Sequence, residues 1–186
     1  MGVLWLGRLW GVLFGSSKYK ACIIGLDNAG KTTILYKLHL GEVVSTQPTI
    51  GSNVEMVQHK NVKIVCWDLG GQESLRASWA PYFHDSHALI LVVDSSDRAR
   101  IHVVREELNR CLDLETLSRA AVLVFANKQD VDTAFSPAEL SAALDLVSIR
   151  KQSWHIQGCC ALTGEGLVEG LNWLVEQLQS TSASKN

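Results

Sequence analysis

The sequence predicts an α/β fold: a doubly wound, six-stranded, mostly parallel sheet with one antiparallel edge strand, preceded by an apolar N-terminal helix. Three observations predict it. Short apolar runs alternate with helical patterns along the chain, which implies βαβ units. The runs are apolar on consecutive positions, as in strands covered on both faces. One pair of strands is separated by only His59-Lys60-Asn61, and so short a link joins antiparallel neighbours.

The elements follow in order. Residues 3–14 are apolar apart from Arg8 and two glycines, and Gly15-Ser16-Ser17 makes a linker. Strands are expected at Ala21–Ile24, Val54–Gln58, Val62–Asp68, Ala88–Asp94, Ala121–Ala126 and, more weakly patterned, Trp154–Cys160. Helices are expected at 31–40, at 98–114 with Ile101, Val104, Leu108 and Cys111 on one stripe, and at 137–147. The last of these starts with Ser136, Pro137 and Glu139, a capping box with proline at the first helical position. Leu167, Leu171, Leu174 and Leu178 mark a final helix. This divides the chain into an N-terminal helix and linker (1–17), one domain (18–180) and a small polar, disordered tail (181–186).

The 186 residues fit one domain, and the 47% hydrophobic content supplies its core. A net charge of −2 gives no general reason to expect nucleic-acid binding, and a monomer is expected. Five cysteines without a C-x-x-C pair read as reduced, packed thiols of a cytosolic protein. His84 and His87 lack the companions of a zinc site.

Gly25-Leu26-Asp27-Asn28-Ala29-Gly30-Lys31-Thr32 has the G-x-x-x-x-G-K-[ST] spacing, after a strand and opening a helix. Glycines let backbone N–H groups face phosphates, the helix N-terminus adds partial positive charge, Lys31 reaches the terminal phosphates and Thr32 ligates magnesium. Asp27 to Thr33 (Asp27, Asn28, Ala29, Gly30, Lys31, Thr32, Thr33) are the candidate phosphate binders. Asn127-Lys128-Gln129-Asp130 follows another strand at the edge where doubly wound sheets bind ligands. The Asp130 carboxylate can accept from guanine N1–H and its exocyclic amine, a donor pair adenine lacks. Asp68-Leu69-Gly70-Gly71-Gln72 ends a third strand. Asp68 can hold magnesium through water, the Gly71 N–H can meet a γ-phosphate, and Gln72 can orient the attacking water.

Together these motifs resemble the small GTPase superfamily. Trp67-Asp68-Leu69-Gly70-Gly71-Gln72-Glu73, Asp27 and Asn127–Asp130 resemble its ADP-ribosylation-factor (Arf) and Arf-like branch, over essentially the whole chain. The resemblance implies a P-loop GTPase fold, with GTP or GDP and Mg2+ bound. It implies that Thr49 joins the magnesium shell when GTP is bound. It implies that Ala161 offers its N–H to the guanine oxygen, with Cys160 and Leu162 bracing that loop. Ser52, Trp67 and Tyr82 would form an effector surface, Ser52 replacing an aromatic; packing at a strand end is the other reading of Trp67 and Tyr82. Partners implied are an exchange factor, a GTPase-activating protein and effector or tether proteins. The implied place is cytoplasmic, peripheral on Golgi or other endomembranes in the GTP form.

Two features bear on rate. No arginine is placed by the sequence as a finger in cis, and Arg76, just past Gln72, is expected to be exposed and paired with solvent or a partner. A partner's arginine would then raise a slow intrinsic rate by roughly 10³–10⁵. Asp27 is either a solvated loop acid or a source of repulsion near the γ-phosphate. A regulatory GTPase, a GTP-binding module that hardly hydrolyses and a nucleoside kinase are the competing functions. Gln72 favours the first, and Asn127–Asp130 argue against the last.

Nine of residues 1–14 are Val, Leu, Trp or Phe. The segment reads as a membrane-switch helix, with a signal peptide or a permanently docked helix as alternatives. The resemblance implies that it docks with GDP bound and enters membrane with GTP bound, ejected by a two-residue shift of the 53–68 hairpin. Gly2 is a candidate myristoylation site, although Leu6 stands where the usual pattern has Ser or Thr.

Overall fold

The computed structural model describes residues 17–183. The expected N-terminal helix, Gly2 and the last three residues lie outside them. The strands are β1 (Ser17–Ile24), β2 (Ser52–His59), β3 (Val62–Leu69), β4 (Ala88–Asp94), β5 (Ala121–Asn127) and β6 (Trp154–Gly158). They form one sheet in the order β2-β3-β1-β4-β5-β6. β2 pairs antiparallel with β3, and every other pairing is parallel. The helices are α1 (Lys31–Leu40), α2 (Glu73–Arg76), α3 (Ile101–Leu112), α4 (Pro137–Ala143) and α5 (Leu167–Ala183).

Both faces of the sheet are covered, which is why the strands are apolar on consecutive positions. Successive side chains of β1 enter different layers, as the two-residue strand period demands. Ala21 and Ile23 pack with Ile34 and Leu35 of α1 and with Leu171, Leu174 and Leu178 of α5. Cys22 and Ile24 pack with Val104, Leu108 and Cys111 of α3 and Leu140 of α4. Each large side chain so buried contributes roughly 1.5–3 kcal/mol. All five cysteines are buried and unpaired.

Several boundaries differ from the sequence pattern. β1 starts at Ser17, because Ser17 and Lys18 find backbone partners opposite Val62 and Lys63. Tertiary pairing overrides the polar composition there. Arg98–Arg100 is a separate 3-10 turn before α3. α4 stops at Ala143, since Asp145 takes a positive φ of 55° and redirects the chain into a 3-10 turn. The Ser136–Glu139 capping box forms as expected. α5 continues through Thr181–Ala183, residues assigned to the tail by composition. Ser182 Oγ lies 3.0 Å from the Leu178 carbonyl and 2.9 Å from Tyr19 Oη, which anchors that last turn.

The hairpin closes in a two-residue turn, Lys60-Asn61, with Lys60 at φ 53°. Its tip is tied to α5: His59 Nε2 lies 2.8 Å from Asn172 Oδ1, and Gln179 Nε2 donates to Asn61 Oδ1 at 3.2 Å. The carboxyl ends of β1, β3 and β5 thereby deliver three motif-bearing loops to one edge of the sheet.

Candidate functional site

β1 leads directly into the loop Gly25–Gly30, which turns into α1. Gly30 caps α1 at φ 93°, and a Cβ there would lie 2.4 Å from Asn127 Nδ2. Glycine is therefore required by backbone conformation and by space. The first turn of α1 holds no acidic residue to oppose the partial positive charge of its N-terminus. Lys31 is buried and folds back on its own loop, Nζ donating to the carbonyls of Gly25 at 3.0 Å and Leu26 at 2.8 Å. Burial pulls its pKa down to about 8, against the attraction of Asp68 and Asp27.

Asp68, at the end of β3, is fully buried. Thr32 Oγ1 donates to its Oδ2 at 2.5 Å, Thr49 Oγ1 donates to the same oxygen at 3.3 Å, and the two hydroxyls are 3.0 Å apart. Burial pushes the Asp68 carboxyl above its ordinary value, opposed by Thr32, Lys31 and Thr49. Its Oδ1 is buried without a hydrogen-bond partner. Two hydroxyls and one carboxylate, with one of its oxygens orphaned, form a hard-oxygen set of the kind magnesium takes.

Thr32 and Thr49 line a cavity of about 270 Å³ with Asp27, Asn28, Gly30, Lys31, Thr33, Gly71 and Gln72, and Asp68 is buried behind the two threonines. Thr46, Gln47 and Pro48 line it too; Thr46 and Gln47 carry no motif and were not legible as site residues. Gly71 lies flush on the phosphate loop, its carbonyl accepting the Asp27 N–H at 3.2 Å. Gln72 is exposed and stands at the start of α2.

The loops expected to recognise the base do not line that cavity. Asn127 joins them to it: its Nδ2 donates to the Ala29 carbonyl at 2.8 Å, and its Oδ1 accepts the Ala161 N–H at 3.0 Å. The N–H implied for a guanine oxygen is thus already donated within the protein, and a guanine would share it. Lys128, at φ 65°, pairs with Asp94 at 2.5 Å. Burial opposes the Asp94 charge, but Lys128 and Ser96 outweigh it and hold that carboxyl below its ordinary value. Asp94 was not singled out from sequence. The signal was its place at the end of an apolar run, and in register it lies opposite Asn127. Asp130 is exposed. Cys160 is buried, and its backbone closes the 160–165 turn through Glu165 and Gly164. Leu162, expected to brace that turn, is 62% exposed, because the closed turn carries it at its tip.

The arginines differ most from expectation. The Arg76 side chain is only 9% exposed, and its Nε donates to the Gly71 carbonyl at 3.0 Å. Arg100, from the turn before α3, pairs with Asp27 at 2.9 Å. Asp27 is therefore neither free in solvent nor an unopposed charge.

Trp67 and Tyr82 are half-buried, with ring centroids 5.6 Å apart, and both pack on the core layer beneath. Lys20 Nζ stands 5.5 Å from the Trp67 ring centre. Across the hairpin it is Val54 that faces Trp67, whereas Ser52 faces Leu69.

Comparison with known proteins adds to this geometry. The family model described as the ADP-ribosylation factor family matches residues 6–178. ADP-ribosylation factor-like protein 5A of Homo sapiens is 54% identical over 179 residues, covering 96% of this chain and 99% of the relative. ADP-ribosylation factor-like protein 5 of Dictyostelium discoideum is 50% identical over 173 residues, covering 93% of this chain and 94% of that one. A solved structure of the Arl6 (BBS3) small GTPase from Trypanosoma brucei, with the bound nucleotide analogue GppNp, superposes with a TM-score of 0.83. It is 34% identical and covers 88% of this chain and 99% of its own.

Proposed function

This chain belongs to the ADP-ribosylation factor family, and from that premise we propose that it is a membrane-associated switch recruiting effector or tether proteins in vesicle and Golgi traffic. As a small GTPase it binds guanine nucleotide and hydrolyses GTP to GDP. The observation that carries the switch reading is the meeting of Thr49 with Thr32 and Asp68. Thr49 belongs to a stretch, 42–49, without helix or strand. A segment with few packed contacts can leave when the ligand that orders it changes.

In this reading Thr32, Thr49 and, through water, Asp68 hold magnesium, which when bound neutralises charge on the phosphates. Lys31 exchanges the carbonyls of Gly25 and Leu26 for phosphate oxygens. The Gly71 N–H meets the γ-phosphate, and Gln72 orients the attacking water. Asp130 accepts from the guanine edge. Intrinsic hydrolysis is slow, an activating protein supplies the missing arginine, and an exchange factor reloads the site. The apolar segment at 3–14 carries the membrane contact, with Gly2 as an acylation site and Trp5 and Trp10 as interfacial anchors. Ser52, Trp67 and Tyr82 meet the effector, on endomembranes such as the Golgi.

The test is liposome co-sedimentation of the full chain loaded with GDP or a non-hydrolysable GTP analogue, with intact mass measured alongside. The reading expects sedimentation with the analogue and not with GDP. Equal partitioning in both states would remove the switch.

A further inference from the structure

The segment that carries Gly71 and Gln72 is held by side chains from its own far end. Trp79 Nε1 donates to the Gly70 carbonyl at 3.0 Å, and Arg76 Nε donates to the Gly71 carbonyl at 3.0 Å. The Gly71 oxygen also accepts the Asp27 N–H at 3.2 Å, so the phosphate loop and Arg76 share it. Arg76 Nη2 lies 3.8 Å from Asp27 Oδ1, and its Nη1 lies 3.7 Å from Glu107 Oε1. The Arg76 and Glu107 side chains are each 9% exposed, and Glu107 also takes Arg110 at 2.8 Å. A guanidinium removed from water needs partners on its several donors. Here the Gly71 peptide provides a hydrogen bond, and the phosphate loop and α3 provide ion pairs. The rigid planar fork of arginine suits three acceptors in fixed places; an ammonium does not.

We propose that Arg76 is a positioning residue for hydrolysis. It fixes the Gly71 peptide against the phosphate loop, and so sets where Gln72, the next residue, presents its amide to the reacting water. Its fork is committed to Gly71, Asp27 and Glu107, so it acts behind the site and not as a finger on the phosphates. The role rests on Gln72 being the water-orienting residue.

The experiment follows a single turnover of protein loaded with GTP and magnesium, alongside release of a fluorescent GDP analogue. Misplacement of a reacting group by an ångström can slow a reaction up to about a hundredfold, so Arg76→Ala is expected to slow hydrolysis roughly ten- to a hundredfold. GDP release, which does not involve Gln72, should change by less than about threefold. Arg76→Lys, which keeps the charge and loses the fork, falls between. In a Gln72→Leu background Arg76→Ala adds nothing, because the path runs through Gln72. Equal slowing in both backgrounds overturns the proposal, as does unchanged hydrolysis in Arg76→Ala while Gln72→Leu is slowed. If Gln72→Leu alone leaves the rate unchanged, the assignment of Gln72 fails and the positioning role falls with it. Should Arg76→Ala not fold, Arg76→Lys and Glu107→Gln carry the same comparison: intermediate slowing that vanishes in the Gln72→Leu background.

Discussion

Arg100 holds Asp27. Its Nη1 lies 2.9 Å from the Asp27 Oδ1 and its Nη2 3.4 Å from the Asp27 carbonyl, while its Nε binds Asp97. An acidic side chain in a loop built for phosphate is thereby tethered to the turn before α3, with Arg76 on its other side. The Asp27 side chain is 44% exposed, so solvent screens the pair and its effect is modest.

The first prediction follows from the sign of these charges. Arg100→Ala frees the Asp27 carboxylate beside bound phosphates and should speed GDP release about two- to fivefold, the scale of a screened pair. Asp27→Asn leaves two guanidinium groups in excess there and should slow release. The double variant should fall between the singles. Release of a fluorescent GDP analogue reads all three, and slower release from Arg100→Ala would refute the account.

Asn127 supports a second prediction. It is 1% exposed and bridges the Ala29 carbonyl and the Ala161 N–H. Truncation to alanine strands both groups, and each buried unpaired group costs about 1–3 kcal/mol. Asn127→Ala should lower the melting temperature and shrink the rise that GDP produces. Asn127→Asp should be worse, since a carboxylate oxygen would face the Ala29 carbonyl. A lowered melting temperature with an undiminished GDP response would restrict the bridge to folding alone.

How much of this was legible in the sequence depends on the range of the interaction. Strand positions and the antiparallel edge followed from apolar runs and the short hairpin link, both local. The phosphate loop was legible because one contiguous octapeptide carries it. The Asp27–Arg100 pair spans 73 positions and joins a phosphate-loop acid to an arginine that no motif singled out. Arg76 read as exposed because it lies just past Gln72 in a stretch without an apolar pattern; its partner Glu107 sits on α3, which no spacing rule connects to it. Leu162 was misplaced for the converse reason, since motif membership says nothing about which way a turn tip points.

The buried thiols give a pH-dependent prediction. Burial pushes Cys66 and Cys111 from 9.0 up to about 12. The folded state keeps these protons where the unfolded chain releases them. Their contribution to stability is therefore fully present below about pH 9 and is lost as pH rises towards 12. Denaturant unfolding should show a declining free energy above pH 9. At pH 8 a thiol alkylator should label the native protein only as fast as it unfolds. Rapid labelling of Cys66 or Cys111 without unfolding would contradict that burial.

The contact between Gly71 and the phosphate loop makes the last prediction. A Cβ on Gly71 would lie 2.4 Å from the Leu26 carbonyl carbon and 2.5 Å from both Asp27 N and Gly25 O. All three are backbone atoms, so no flexible side chain can yield, and alanine must lift the 70–72 segment off the loop. Lifting it breaks the Asp27 N–H to Gly71 hydrogen bond and withdraws the Gly71 N–H from the γ-phosphate position. The phosphate loop itself keeps Lys31, Thr32 and its helix N-terminus. Gly71→Ala should therefore leave GDP affinity within about threefold, while a lost charge-assisted hydrogen bond of about 1.5–3 kcal/mol lowers affinity for a GTP analogue at least roughly tenfold. Competition binding against a fluorescent GDP analogue measures both. Equal weakening for the two nucleotides would mean that Gly71 supports the whole loop and does not read the third phosphate.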